Sequence, residues 1–228
     1  ILRLFLSMNL LGRPTVEFCE KAGSGIIKRP FYALSNLAYL FAGLIILRQG
    51  KGSKLSRLFG YLSILIGFFS FTYDASYTYL SQLIDLLGMF FFVNLLIYLS
   101  AQRYFSISNK KLIFIQSIFL VSGMFFVLFF KSFAGEFVFG TFVIFAIGLE
   151  LLLRKAGKTI NFSLWLKSVS LFLFGFIVWL PDALGIVCDP NNYLNGRSVF
   201  HLLTSVAIYL LYKYYSLQKG EIKYNINI

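Results

Sequence analysis

Seven apolar stretches take up most of this chain, over residues 30–47, 58–73, 77–101, 112–130, 133–153, 164–180 and 199–215. An apolar helix of ~17–25 residues is long enough to cross the hydrocarbon core of a bilayer. Within that core every backbone N–H and C=O must find its partner inside the protein, which leaves only helices and closed β-barrels. Barrel strands alternate apolar and polar residues in ~10-residue segments, whereas runs such as "GMFFFVNLLIYL" and "MFFVLFF" are continuous. The fold class expected is therefore an all-α membrane protein, a seven-transmembrane helix bundle. Composition agrees: 58% of the 228 residues are hydrophobic and 13% are charged, about half the charge of a soluble domain.

The break between the fourth and fifth stretches rests on "FFKSFAGEF", where Lys131, Gly135 and Glu136 interrupt the apolar run. No internal repeat or second domain is visible. The chain divides into an N-terminal outer segment (1–29), the bundle (30–215) and a tail (216–228). The opening "ILRLFLSMNLLGRP" is too short and too interrupted to span, lacks a small-residue cleavage site, and contains Met8 as an alternative start.

The net charge of +12 would suggest nucleic acid in a soluble protein; here it is a statement about orientation, and no nucleic-acid partner is expected. Lys and Arg concentrate in cytoplasmic loops. Arg48, Lys51, Lys54 and Arg57 lie in the first loop, Arg103, Lys110 and Lys111 in the third, and Arg154, Lys155 and Lys158 in the fifth, with Lys167 just beyond. Lys213, Lys219 and Lys223 lie at the C-terminal end. The second loop has none, the fourth Lys131 and the sixth Arg197. This pattern puts the N-terminus outside and the C-terminus in the cytoplasm. Arg3, Arg13, Lys21, Lys28 and Arg29 run against it.

Acidic residues fall the other way. Glu17, Glu20, Asp74, Asp85, Glu136, Asp182 and Asp189 occupy the outer half, while Glu150 and Glu221 lie near the inner side. His201, the single histidine, opens the seventh stretch. A carboxylate at membrane depth is costly unless paired or hydrated, which makes it a functional candidate by default. Asp85, about two turns inside the third stretch between "SQLI" and "LLGMFFF", is the strongest. Asp74, Asp182 and Asp189 also admit a plainer role, capping helices in watery loops.

Three blocks carry a resemblance: "EFCEKAGSGIIKRPFYALSNLAYLFAG", "SFTYDASYTYLSQLIDLLGM" and "WLPDALGIVCDPNNYLNGRSVFHLL". In order and spacing they resemble the signature blocks of the alkaline ceramidase family, in its bacterial form. That family belongs to a seven-helix hydrolase superfamily that also includes progestin/adiponectin-type receptors and GPI-lipid-remodelling proteins. The resemblance implies a membrane protein of the bacterial inner membrane that hydrolyses the amide of ceramide-like lipids. It also implies a zinc held by three histidines, one in a Ser-x-x-x-His motif and two in a His-x-x-x-His pair on one face of the last helix. The metal-activated water would attack the amide carbonyl.

Carried over by position, the motif serine is Ser70 and the buried aspartate is Asp85. The first histidine position holds Asp74, the second Arg197, and the third retains His201. A carboxylate can bind zinc; a guanidinium offers no lone pair. Asp182 and Asp85 are possible recruits. The residues therefore favour loss of the zinc over retention, with Asp74 and Arg197 as a charge pair standing where two ligands were. The resemblance also implies a disulfide between Cys19 and Cys188, both on the oxidising side, with two free thiols as the alternative. Calcium, bound in the N-terminal block of eukaryotic members, is not expected. Glu17 and Glu20 match that block, but Lys21 follows and the block is short. Asn36 matches a family asparagine and is assigned to helix packing.

Two functions compete: a ceramide-type amidase with a remodelled metal site, and an inactive descendant that binds, senses or transports a lipid. A retinal protein is excluded, because a Schiff-base lysine belongs in mid-helix and the lysine of the seventh stretch, Lys213, lies near its inner end.

Overall fold

The computed structural model describes residues 9–105, 107–130, 134–190, 192 and 195–218. Their secondary structure is helical: α1 (Pro30–Ser35), α2 (Leu37–Gln49), α3 (Lys54–Ser76), α4 (Tyr79–Tyr104), α5 (Asn109–Phe129), α6 (Ala134–Lys155), α7 (Phe162–Ala183) and α8 (Gly196–Leu217). The residues Arg3, Met8, Lys131, Lys219, Glu221 and Lys223, used above, lie outside the described residues.

The first expected span is two helices meeting at Asn36, whose backbone is itself helical (φ −66°, ψ −17°). The two share one direction, and Pro30–Gln49 together is long and apolar enough to cross a membrane. So are α3, α4, α5, α6 and α7, giving six such helices among the described residues. The seventh expected stretch is a helix, α8, but does not reach that apolarity. Its sequence "GRSVFHLLTSVAIYLLYKYYSL" spends Arg197, Ser198, His201, Thr204 and Ser205 on a buried face. A helix of that kind places polar side chains against protein rather than lipid.

Local chemistry sets the boundaries. Ser53 caps α3 by accepting from the Ser56 N–H at 3.2 Å. Thr78 and Ser81 form a reciprocal capping box at the start of α4, satisfying donors that have no helical partner. Asn195 caps α8, accepting from Ser198 N at 2.9 Å.

Helix α4 is the most enclosed of the six candidate spans and packs on α3, α5 and α6, while α8 packs on α7 and α2. Gly43 and Gly60 bring α2 and α3 into contact, since a Cβ on Gly43 would come within 2.6 Å of the Gly60 carbonyl. The shared core is aromatic: Phe59, Phe92, Tyr212 and Tyr215 cluster with ring centroids 5.7–6.0 Å apart around Phe59. Helix α5 is peripheral. Phe114, Ile118, Val121 and Phe125 are exposed along it, the surface a lipid-facing helix needs.

Candidate functional site: a polar cluster under an N-terminal strap

Residues 12–29 cross one end of the bundle as an irregular strap, with backbone bonds where it meets α3. Lys28 N donates to Ala75 O at 3.0 Å and Arg29 N to Asp74 O at 3.1 Å, using carbonyls that the last turn of a helix leaves free. The strap is tied down by a disulfide between Cys19 and Cys188. It also positions α1: the Glu20 carboxylate accepts from Phe31 N at 2.9 Å and from Tyr32 N at 2.8 Å. A carboxylate suits the positive end of a helix. Burial raises the Glu20 carboxyl above the ordinary carboxylate range, with the two backbone N–H groups pulling it back down.

Beneath the strap, α1–α4, α7 and α8 bring most of the sequence candidates together. Asp74, on the last turn of α3, is fully buried. Its Oδ1 accepts from Arg29 at 2.6 Å, and its Oδ2 accepts from Asn36 Nδ2 at 2.9 Å. Arg197 is 3.7 Å from the same Oδ1 and 3.8 Å from Asp85 Oδ2. Asp85 in turn accepts a hydrogen bond on Oδ1 from the Ser70 hydroxyl. The expected Asp74–Arg197 contact is thus the longer of two; Arg29, which the sequence reading did not assign to the site, is the closer partner. Asn36 likewise does more than pack helices, because its amide holds the second carboxylate oxygen.

Both guanidinium groups are set among rings. Arg29 Cζ lies 4.4 Å from the Tyr77 centroid and 4.7 Å from Tyr73; Arg197 Cζ lies 4.2 Å from Phe18. Such faces attract cations and fix the plane of the guanidinium. The Arg29–Asp74 pair is sealed, with both side chains 0% exposed, whereas Arg197 and Asp85 keep 8% and 9%. All four side chains are buried, with Arg197 and Asp85 slightly less enclosed than the Arg29–Asp74 pair.

His201, one turn beyond Arg197, places Nδ1 2.8 Å from Ser35 Oγ. Ser35 donates to Tyr32 O at 2.7 Å, so its hydroxyl accepts from Nδ1–H and the lone pair falls on Nε2. Tyr39, its ring tilted against His201 with centroids 5.8 Å apart, meets Thr204 Oγ1 at 2.5 Å. Asp182 has the plainer role: its Oδ2 accepts from Arg197 N at 2.7 Å, capping α8, and Tyr32 donates to it at 3.3 Å. Gly196 allows this approach, since a Cβ there would lie 2.5 Å from Val178 O and 2.6 Å from Asp182 Cβ. Glu17 is exposed on the strap, outside the cluster. Among the described residues, no three His, Cys, Asp or Glu side chains form a group arranged to hold a metal.

Arg29 had one signal in the sequence: it is among the basic residues that run against the charge pattern of the loops. A guanidinium retained next to the first span needs a partner, and that partner is Asp74. Tyr32, Ser35 and Tyr39 carried no such signal, being ordinary residues of an apolar helix.

A helical membrane protein with a lidded, buried ionic site at one end of its bundle is the class these features define. The chain belongs to the ceramidase family, whose model matches residues 13–225. A search among curated proteins finds no match.

Proposed function

We propose that this is a ceramidase-family membrane protein that binds a ceramide-like lipid without the family's zinc. The observation that carries the reading is the occupancy of Asp74: both carboxylate oxygens are taken, by Arg29 at 2.6 Å and Asn36 at 2.9 Å, with Arg197 at 3.7 Å. A zinc ion needs three or four free lone pairs. Asp74 already has a donor on each oxygen and lies against two guanidinium groups, Arg197 has no lone pair to give, and His201 offers Nε2 alone, so too few ligands converge among the described residues. The donor set does not fit the metal. Nor is a calcium ion part of this reading: calcium takes six or more oxygens, while Glu20 faces the α1 backbone and Glu17 is exposed outside the cluster.

What the cluster offers a lipid is a donor beside an acceptor. Among the described residues the buried Nε of Arg197 has no hydrogen-bond partner, and Asp85 Oδ2 lies 3.8 Å from that same guanidinium. A neutral amide with flanking hydroxyls, the head of a ceramide, presents the complementary pair: a carbonyl for Arg197 and an N–H or O–H for Asp85. Ser70 holds Asp85 in place. The seven long helical bodies cross the membrane in this reading, N-terminus outside and C-terminus in the cytoplasm, with α8 shielded by its neighbours. A bacterial inner membrane is the setting proposed.

The test is metal content and lipid retention on the detergent-purified protein. Mass spectrometry should find a ceramide-like lipid that Arg197→Ala loses, and no stoichiometric zinc. Zinc at about one per chain, lost in His201→Ala together with ceramide hydrolysis, would overturn the reading in favour of a remodelled amidase.

A further inference from the structure

We propose that Arg29 is the residue that excludes metal from this site: a cation built into the chain and delivered by the disulfide-anchored strap to the position a metal's charge would take. This rests on the metal-free reading above and adds a residue to it, because the family positions at 74, 197 and 201 leave Arg29 out.

Arg29 is fixed independently of Asp74's side chain. Its backbone N–H is bonded to Asp74 O at 3.1 Å, and its neighbour Lys28 is bonded to Ala75 O at 3.0 Å. Tyr73 and Tyr77 hold its guanidinium at 4.7 and 4.4 Å, Cys19 is covalently joined to Cys188, and Glu20 is bonded to α1. The group is fully buried, so little water screens it. Among the described residues its Nε and one terminal nitrogen have no hydrogen-bond partner, and once Asp74 is replaced by a neutral side chain its charge stands uncompensated by that carboxylate. Any divalent ion reaching the first ligand position meets a fixed positive charge at contact distance. That repulsion is large at protein dielectric. Restoring histidines at 74 and 197 would therefore leave the site closed while Arg29 remains.

The experiment rebuilds the ligands and varies only residue 29. D74H/R197H restores three imidazole positions with His201. It is compared with D74H/R197H/R29K, which keeps the charge, and D74H/R197H/R29Q, which removes it. Zinc per chain is read by elemental mass spectrometry, and Co²⁺ is followed by its visible absorption. Each of the three variants is first shown to be folded by an intact disulfide and a cooperative melting transition of its own. The expected result is metal binding by the R29Q variant at least about 100-fold tighter than by the other two. Equal binding by D74H/R197H with Arg29 in place overturns the proposal, as does absence of binding in the folded R29Q variant. Zinc in the unmutated protein would instead overturn the metal-free reading itself, so the two failures are told apart.

Discussion

Arg103 and Glu150 face each other at 3.1 Å, 1% exposed on both sides, at the end of the bundle opposite the site. Glu150 accepts further bonds from Tyr214 at 2.7 Å, Tyr215 at 2.8 Å and Ser100 at 2.7 Å. Arg103 also donates to the Lys158 carbonyl, so α4, α6, α8 and the α6–α7 turn are locked at one point.

Breaking one partner of such a pair strands a buried charge. Glu150→Gln is expected to cost about 3–5 kcal/mol, and Tyr214→Phe about 1–3 kcal/mol, in a denaturant melt in detergent. Lipid binding at the far end should survive at temperatures where the variants stay folded.

At the site, Asp74→Ala is expected to destabilise by about 3–5 kcal/mol, since Arg29 is left buried without its carboxylate. Arg29→Met should cost a similar amount, and the double variant much less than the sum. A coupling energy near zero in the double-mutant cycle would show that the 2.6 Å contact is not what holds the strap.

Removing the disulfide by Cys19→Ser is expected to cost about 2–5 kcal/mol. The loss should appear as a lower melting temperature, equalled by reductant in the unmutated protein. The bundle itself should persist, because none of the helix–helix contacts depends on the bond.

Gly196→Ala forces a Cβ to within 2.5 Å of Val178 O. The start of α8 must move away from α7, weakening the Asp182 cap and shifting Arg197. A loss of about 1–3 kcal/mol is expected, with lipid binding impaired more than in a Gly140→Ala control, whose Cβ meets nothing within 4 Å.

Stability should also depend on pH through Glu20. Its carboxyl is raised by burial, so the folded protein holds that proton more tightly than the unfolded chain does. Stability is then greatest below the ordinary carboxylate value and falls as pH rises through the folded one. Melting temperatures measured across that interval should slope downward, and Glu20→Gln should flatten the slope.

How far the sequence reaches is clear from particular residues. Long apolar runs dictate helices because lipid permits little else, so the helical bodies follow from composition and length. The interruption at Asn36 does not, since its backbone stays helical and only its side chain departs, toward Asp74. Ser70, Asp74, Asp85, Arg197 and His201 could be named from the resemblance of the three blocks to the family's motifs. Their pairing could not: Arg197 sits between two carboxylates, and which cation lies nearer Asp74 depends on where the strap runs. The inner lock was invisible for the same reason. Arg103 looked like one more orienting cation of its loop and Glu150 like an acid near the inner side, and only packing joins them with Tyr214 and Tyr215.

The bond between Cys19 and Cys188 spans 169 positions of sequence. At a synthesis rate of about 5–20 residues per second, roughly 10–30 s separate the emergence of its two ends. For that interval the strap lacks its covalent anchor and is held by its hydrogen bonds and the Arg29–Asp74 pair alone. The noncovalent seat of the strap must therefore form first, and the disulfide records a position already taken.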